Sequence, residues 1–318
     1  MDTVELKHKL RGVIAVSVTP FKENYVVDFE GVRKNVEFLV KNGVEAVSPC
    51  GSVGEFSSLT MDEYREIVKV TVDTVDGRMP VIAGASHSGT HECIKKAKTA
   101  EEAGADAIMT VPPYYLKPSW EGIFKHYKML SESIEIPITV YNNPAFSKVN
   151  ITPPKCLEMV DGIEKVVGIK ETSGDMSQFY ETLRLCKDKA QIIMGKESAA
   201  FYALACGAPG FISSMANFAP QIPKDLYKAF QEGDLGKARK IQEQIAPFMS
   251  FVGGLIQKET IPYVMPVVKE AMNLLGLPGG TVRPPIMPLS SDDRERLKKI
   301  LGTMGLLPTY VTQTAIRG

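Results

Sequence analysis

Short apolar runs alternate with longer amphipathic stretches along the first 230 residues. Runs of strand length lie at Val13 to Val18, Val81 to Ala83, Ile138 to Tyr141, Val166 to Lys170 and Ile192 to Met194. Three further places share one local pattern: Asn42-Gly43-Val44-Glu45-Ala46-Val47, Ala103-Gly104-Ala105-Asp106-Ala107-Ile108 and Cys206-Gly207-Ala208-Pro209-Gly210-Phe211-Ile212. Each reads as a helix end followed by a strand, because glycine just past a helix adopts positive φ without a Cβ clash. The intervening stretches carry helix signals of their own. Thr60-Met61-Asp62-Glu63 is a capping box for a helix running to about Val75, and Thr90 opens an Ala- and Lys-rich helix. Eight strands alternating with helices predict parallel strands joined by right-handed crossovers, closed into an α/β (β/α)8 TIM barrel over residues 1–230. An open doubly wound sheet is the alternative. Beyond it, helical patterns from Leu235 to Phe251, Ile261 to Leu275 and Ser290 to Leu301 predict a C-terminal helical extension, 231–318, packed on the barrel.

Composition narrows the function. Lysine plus arginine equals aspartate plus glutamate at 37 each, with no block of like charge, so no nucleic-acid or anionic-membrane partner is indicated. The five cysteines form an odd set without C-x-x-C spacing, which speaks against a disulfide framework or structural zinc and for a reducing cytoplasm. Met1 to Arg11 lacks the apolar core of a signal peptide, and no stretch approaches the roughly 18 apolar residues of a membrane span. A small-molecule substrate is the expected partner.

The chemistry gathers at the carboxyl ends of the predicted strands, where barrel enzymes place their reactive groups. Lys170 closes an apolar run and is followed by the polar stretch Glu171-Thr172-Ser173-Gly174-Asp175. A lysine so placed is partly desolvated, which lowers its pKa toward a nucleophilic amine; a strand-end lysine reaching to solvent is the structural alternative. Tyr141 ends the preceding strand, where a phenol can pass protons to and from a carbon bound to that lysine. After strand two, Gly51-Ser52-Val53-Gly54-Glu55 forms a turn whose amides can hold a carboxylate, although a bland turn has the same composition. Glu55 reads as an acceptor of local backbone hydrogen bonds. After strand four, Val111-Pro112-Pro113-Tyr114-Tyr115 is a stiff loop with two aromatics. His87 and His91 are four apart, but Ser88-Gly89-Thr90 lies between them like the approach to a helix, so no metal site is assigned.

Together these motifs resemble the N-acetylneuraminate lyase and dihydrodipicolinate synthase family of class I, Schiff-base-forming aldolases. The likeness runs from Val18-Thr19-Pro20-Phe21 through the G-x-x-G-E turn, the Pro-Tyr-Tyr loop, Y-N-x-P at Tyr141 to Pro144 and G-I-K at Gly168 to Lys170, to Gly210-Phe211-Ile212-Ser213. The resemblance implies that Lys170 forms an imine with a 2-oxo acid such as pyruvate and that Tyr141 shuttles protons. It implies that the Ser52 and Val53 amides bind the carboxylate and that the Ser52 hydroxyl links Tyr141 to Tyr115 of a neighbouring subunit. A homo-oligomer, a dimer of dimers, follows, with no metal or organic cofactor.

The chain departs from the family pattern at defined places. Members making the lysine precursor carry an arginine two residues after the proline of Y-N-x-P; here Pro144 is followed by Ala145 and Phe146. The family turn has a second hydroxyl residue, often threonine, where this chain has Val53, so only its backbone amide can contribute. Thr172 and Ser214 match hydroxyl positions of the sialic acid lyase branch, but its acidic pair after strand seven is represented by Glu197 and Ser198. The implied substrate contacts are Val53, Phe146, Thr172, Glu197, Ile212 and Ser214. The function read from these residues is a lyase that cleaves or dehydrates a 2-oxo-3-deoxy sugar acid or similar aldol. The alternative is 4-hydroxy-tetrahydrodipicolinate synthase, and a non-catalytic 2-oxo acid binder is a third possibility.

Overall fold

The computed structural model describes residues 2–259 and 262–307. Eight strands form one parallel sheet: β1 (Gly12–Val16), β2 (Ala46–Ser48), β3 (Ile82–Gly84), β4 (Ala107–Thr110), β5 (Ile138–Asn142), β6 (Val166–Glu171), β7 (Gln191–Met194) and β8 (Gly210–Ser213). Their order is β2-β1-β8-β7-β6-β5-β4-β3, and a parallel bridge between Val47 and Val81 brings the two end strands together. The sheet is therefore a (β/α)8 barrel, as the strand–helix alternation predicts. Gly43, Gly104 and Gly207, the three glycines of the repeated pattern, have φ of 63°, 90° and 89°. They end the helices as read from sequence. The capping box is also present: the Thr60 hydroxyl accepts from Glu63 N at 3.2 Å while Glu63 Oε2 accepts from Thr60 N at 3.0 Å.

Alternation along the strands divides the core into two layers. Val13, Ala15, Val47, Ile108, Ile169 and Ile192 pack outward against the helical ring. Ile14, Val16, Ala46, Met109, Val167 and Ile193 belong to an inner layer that continues into Phe248, Met265 and Val268 of the C-terminal helices. Successive Cβ atoms of a strand point to opposite faces, so both layers come from the same short runs. A helix over Thr3–Lys9, absent from the sequence reading, buries Leu6 and, just beyond its end, Leu10 in the inner layer.

The C-terminal helices span Leu235–Gln257, Met265–Leu274 and Ser291–Thr303. The first outruns its expected end at Phe251 and carries Pro247 inside. The expected start of the second at Ile261, and the last part of the 231–318 extension, residues 308–318, lie outside the described residues.

Candidate active site

Strand pairing brings the two chemical residues together. In the β5–β6 ladder Tyr141 is opposite Lys170 and Asn142 is opposite Glu171. Register partners on neighbouring parallel strands point the same way, so the amine and the phenol share the barrel interior. The Lys170 Nζ lies 3.7 Å from the centroid of the Tyr141 ring, and each residue is only 4% exposed. Burial lowers the Lys170 pKa, against the opposing pull of Tyr141. For Tyr141, burial works upward, but the Lys170 charge and the hydroxyl and amide groups of Tyr263, Ser52 and Asn143 outweigh it, and the phenol is shifted down. An amine held toward neutrality beside a phenol held toward ionisation can serve as a nucleophile and a proton carrier.

The strand ends are locked by amide–carboxylate contacts. Asn142 Nδ2 donates to Glu171 Oε2 at 2.7 Å, Ser173 N to Glu171 Oε1 at 2.6 Å, and Ile151 N to Asn142 Oδ1 at 2.9 Å. Asn143 Nδ2 donates to the Tyr141 hydroxyl at 2.9 Å. Gly195, at the end of β7, completes the arrangement by lacking a side chain. A Cβ there would lie 1.9 Å from the Thr172 hydroxyl and 2.8 Å from Lys170 Cγ. The sequence shows this glycine, but only the fold shows that the lysine stem crosses it.

The Gly51–Gly54 turn stands beside the pair. It is bracketed by two residues with left-handed backbone, Cys50 at φ 55° and Glu55 at φ 54°, conformations that cost of order 1–3 kcal/mol each and persist where surroundings enforce them. Among the described residues nothing accepts from the Ser52 or Val53 amides, and unpaired backbone N–H groups in a turn are able to hold an anion. Glu55 departs from its local reading. It is buried, forms an ion pair with Lys269 of the C-terminal extension, and accepts from Arg283 N at 3.0 Å. Sequence gave no sign of a partner 214 positions away.

Two spaces adjoin these groups. A narrow one of about 10 Å³ is lined by Lys170, Tyr141, Ser48 and Ser52. A wider cavity of about 300 Å³ is lined by Ser52, Phe56, Tyr114, Asn143, Phe146 and Tyr263 among others. Ser52 and Phe56 face both.

The remaining expected site residues divide. Val53 and Ile212 are buried in the inner layer, and the Thr172 hydroxyl is buried without a partner among the described residues. Glu197 and Ser214 do meet, but they bind each other: Glu197 Oε2 accepts from the Ser214 hydroxyl at 2.8 Å, from Ser214 N at 3.0 Å and from Met215 N at 3.1 Å, while Ser213 holds Oε1. Phe146 is 51% exposed at the cavity rim and meets Tyr263 edge-on at 5.3 Å. Tyr115 is 90% exposed with φ 79° and turns away from its own barrel, whereas Tyr114 lines the cavity and contacts Phe56. Tyr263, Asn143 and Lys269 were not among the residues read from sequence. The first and last lie in the C-terminal extension, more than 120 positions from Tyr141 along the chain. His87 Nδ1 accepts from Gly89 N at 3.0 Å ahead of the helix Thr90–Glu102. Among the described residues no helix is long and apolar enough to cross a membrane.

Comparison with known proteins gives the family. The model of the dihydrodipicolinate synthetase family matches residues 9–304. A 4-hydroxy-tetrahydrodipicolinate synthase of Archaeoglobus fulgidus is 38% identical over 296 residues, covering 93% of this chain and 99% of the relative. Among solved structures, a dihydrodipicolinate synthase from Thermotoga maritima superposes with a TM-score of 0.88 at 35% identity, covering 94% of this chain and 100% of that one. A prophage protein of the dihydrodipicolinic acid synthase family from E. coli K12, in complex with pyruvate, gives 0.88 at 30% identity, covering 94% and 99%. The chain belongs to the dihydrodipicolinate synthetase family and is a lyase of the class I, Schiff-base aldolase type.

Proposed function

We propose that this lyase takes pyruvate as its donor, forms an imine with it on Lys170, and joins it to an aldehyde in the manner of a 4-hydroxy-tetrahydrodipicolinate synthase. The observation that carries the reading is the register pairing of Lys170 with Tyr141 beside a turn with two free amides. The neutral amine adds to the C2 carbonyl, the Tyr141 phenol gives up its proton so that the carbonyl oxygen leaves as water, and a protonated imine and a Tyr141 phenolate remain. Tyr141, as phenolate, takes a proton from C3. The C–H electron pair moves toward the imine nitrogen, which becomes neutral, and an enamine results. The enamine carbon bonds to the aldehyde carbon, the aldehyde oxygen takes the proton from Tyr141, and water then releases the product from Lys170. The Ser52 and Val53 amides hold the pyruvate carboxylate throughout.

The activity for which the relatives are named, 4-hydroxy-tetrahydrodipicolinate synthase, favours this direction over sugar-acid cleavage or dehydration. So does the internal bonding of Glu197 and Ser214, which occupies the groups a polyol would use. One observation favours a second reading, an aldehyde without a carboxylate: Phe146 stands where lysine-pathway members carry their arginine, and among the described residues no lysine or arginine lines the wider cavity. We further propose that Tyr115 completes the mouth of a neighbour's site in a dimer of dimers, because an exposed tyrosine with left-handed backbone has no task in its own protomer. A cytoplasmic setting suits the five free cysteines.

Intact-mass measurement after borohydride reduction with pyruvate tests the chemistry. The expected result is one adduct that disappears in Lys170→Ala; an adduct that persists there, or none in the parent, refutes it. The kcat/KM values for aspartate semialdehyde, uncharged aldehydes and 2-oxo-3-deoxy sugar acids then rank the acceptors, and sedimentation at working concentration reads the oligomer.

A further inference from the structure

We infer that Tyr263, in the segment ahead of the helix Met265–Leu274, is a positioning residue for the Tyr141 phenol and supplies from the same chain a hydroxyl that holds the proton-carrying oxygen. This rests on the reading of Tyr141 given above. Tyr263 lines the wider cavity together with Ser52 and with Asn143, whose Nδ2 donates to the Tyr141 hydroxyl at 2.9 Å, and the two phenols act on each other's ionisation in the opposite sense: Tyr141 is eased toward phenolate, while Tyr263 is held up mainly by burial. A tyrosine that stays protonated is a standing donor. A phenolate oxygen accepts more than one hydrogen bond, and here Asn143 Nδ2 and the Ser52 hydroxyl are its other neighbours.

Position supports the same role. Tyr263, Asn143 and Ser52 all line the cavity of about 300 Å³, while Tyr141 and Lys170 line the narrow space that shares Ser52 with it, so these three residues stand between the phenol and the space an aldehyde would enter. The Tyr263 ring is fixed by its edge-on contact with Phe146 at 5.3 Å. Phe146 therefore acts on the phenol at one remove, by holding Tyr263 in place. Met265, at the start of the following helix, lies in the inner core layer, which anchors the segment to the barrel.

A wall residue and a positioning residue give different results in Tyr263→Phe, which keeps the ring and its contact with Phe146 and removes only the hydroxyl. The expected outcome is a fall in kcat of roughly tenfold to hundredfold, the range for one hydrogen bond to an ionised group. The KM for pyruvate and the yield of borohydride-trapped adduct stay at parent values. The limb of the pH–rate profile that belongs to Tyr141 should move to higher pH, because the phenolate has lost a donor. Ultraviolet tyrosinate titration reads the same shift without turnover: the lowest tyrosine transition, absent in Tyr141→Phe, should rise in pH in Tyr263→Phe. An unchanged kcat together with an unchanged transition makes Tyr263 a wall residue and overturns the inference. Absence of any pyruvate adduct in the parent refutes the imine reading instead, and the titration still decides the contact between the two phenols.

Discussion

Replacing Lys269 by methionine should both destabilise the protein and impair the catalytic turn. Lys269 and Glu55 are 2% and 1% exposed, and the lysine also donates to Thr281 O at 2.7 Å. The Phe21 ring lies 4.4 Å from Lys269 Nζ and 4.1 Å from the Arg283 guanidinium, so the pair is enclosed by aromatic and aliphatic surface with little water. Burial brings the ammonium down to about 8, even with the carboxylate beside it. Methionine matches the lysine stem in volume but leaves Glu55 as a buried carboxylate whose remaining donor is Arg283 N at 3.0 Å. Breaking a buried pair in this way costs about 3–5 kcal/mol. With an unfolding entropy near 2.1 cal/mol/K per residue, the chain of 318 residues should lose roughly 4–8 °C in Tm. The double variant Lys269→Met/Glu55→Gln removes the stranded charge while keeping an acceptor for Arg283 N, and should recover most of that loss. Thermal unfolding of parent, single and double variants measures both steps. A single variant as stable as the parent, or a double variant no better than the single, would show that the pair does not hold the turn. In the folded fraction of Lys269→Met, kcat/KM should also fall, because Glu55 is held in left-handed backbone at the end of the turn that carries Ser52 and Val53.

Tyr141→Phe should slow turnover by roughly 10²–10⁴-fold, as expected of a proton-transfer group, while a pyruvate adduct can still be trapped; equal turnover would make the phenol structural. His126 is buried, bonds Thr90 Oγ1 through Nδ1 at 3.0 Å and, among the described residues, has no partner for Nε2. Burial lowers it from 6.5 to about 4, so between those values the unfolded chain binds the proton that the folded chain refuses. Stability therefore falls as pH drops through that window, by roughly 3 kcal/mol in all. In His126→Phe the Tm difference between pH 6.5 and 4 should shrink accordingly; parallel curves for parent and variant would place the acid sensitivity elsewhere.

Much of the barrel is legible in the chain because it depends on local signals. Short apolar runs can only be buried strands, glycines with positive φ end the helices, and Thr60 with Glu63 caps one of them; each cue needs only a few adjacent residues. Lys170 and Tyr141 were legible for the same reason, since each ends its own apolar run. What the sequence concealed is long-range. Glu55 was read as a local acceptor because nothing near it in sequence offers a cation, and its lysine arrives from 214 positions away. Tyr263 sits in a stretch with no motif, and its place beside Tyr141 depends on how the last helices cross the barrel mouth. Thr3–Lys9 was passed over because its seven residues are mostly polar, although Leu6 is fully buried.

These long-range contacts change what the C-terminal extension is for. A barrel closes its own sheet without it, yet the barrel's catalytic end is held from outside at two separate points. Lys269 and Arg283 N bind Glu55 and so the turn that carries the Ser52 and Val53 amides. Arg283 also donates to Ser58 O at 2.7 Å and pairs with Glu63, clamping the start of the helix that follows the turn. Tyr263 reaches the phenol on β5. On the function proposed above, one segment of chain thus sets both the pocket for the donor's carboxylate and the oxygen that moves its proton, and these must keep a fixed separation for C3 to lie between them. An enzyme that binds its donor through backbone amides cannot correct a displaced turn by swinging a side chain, so the rigidity has to come from buried contacts behind the turn. The Glu55–Lys269 pair, costly to desolvate and poor as a source of net stability, suits that role because a charge so enclosed has only one satisfactory position.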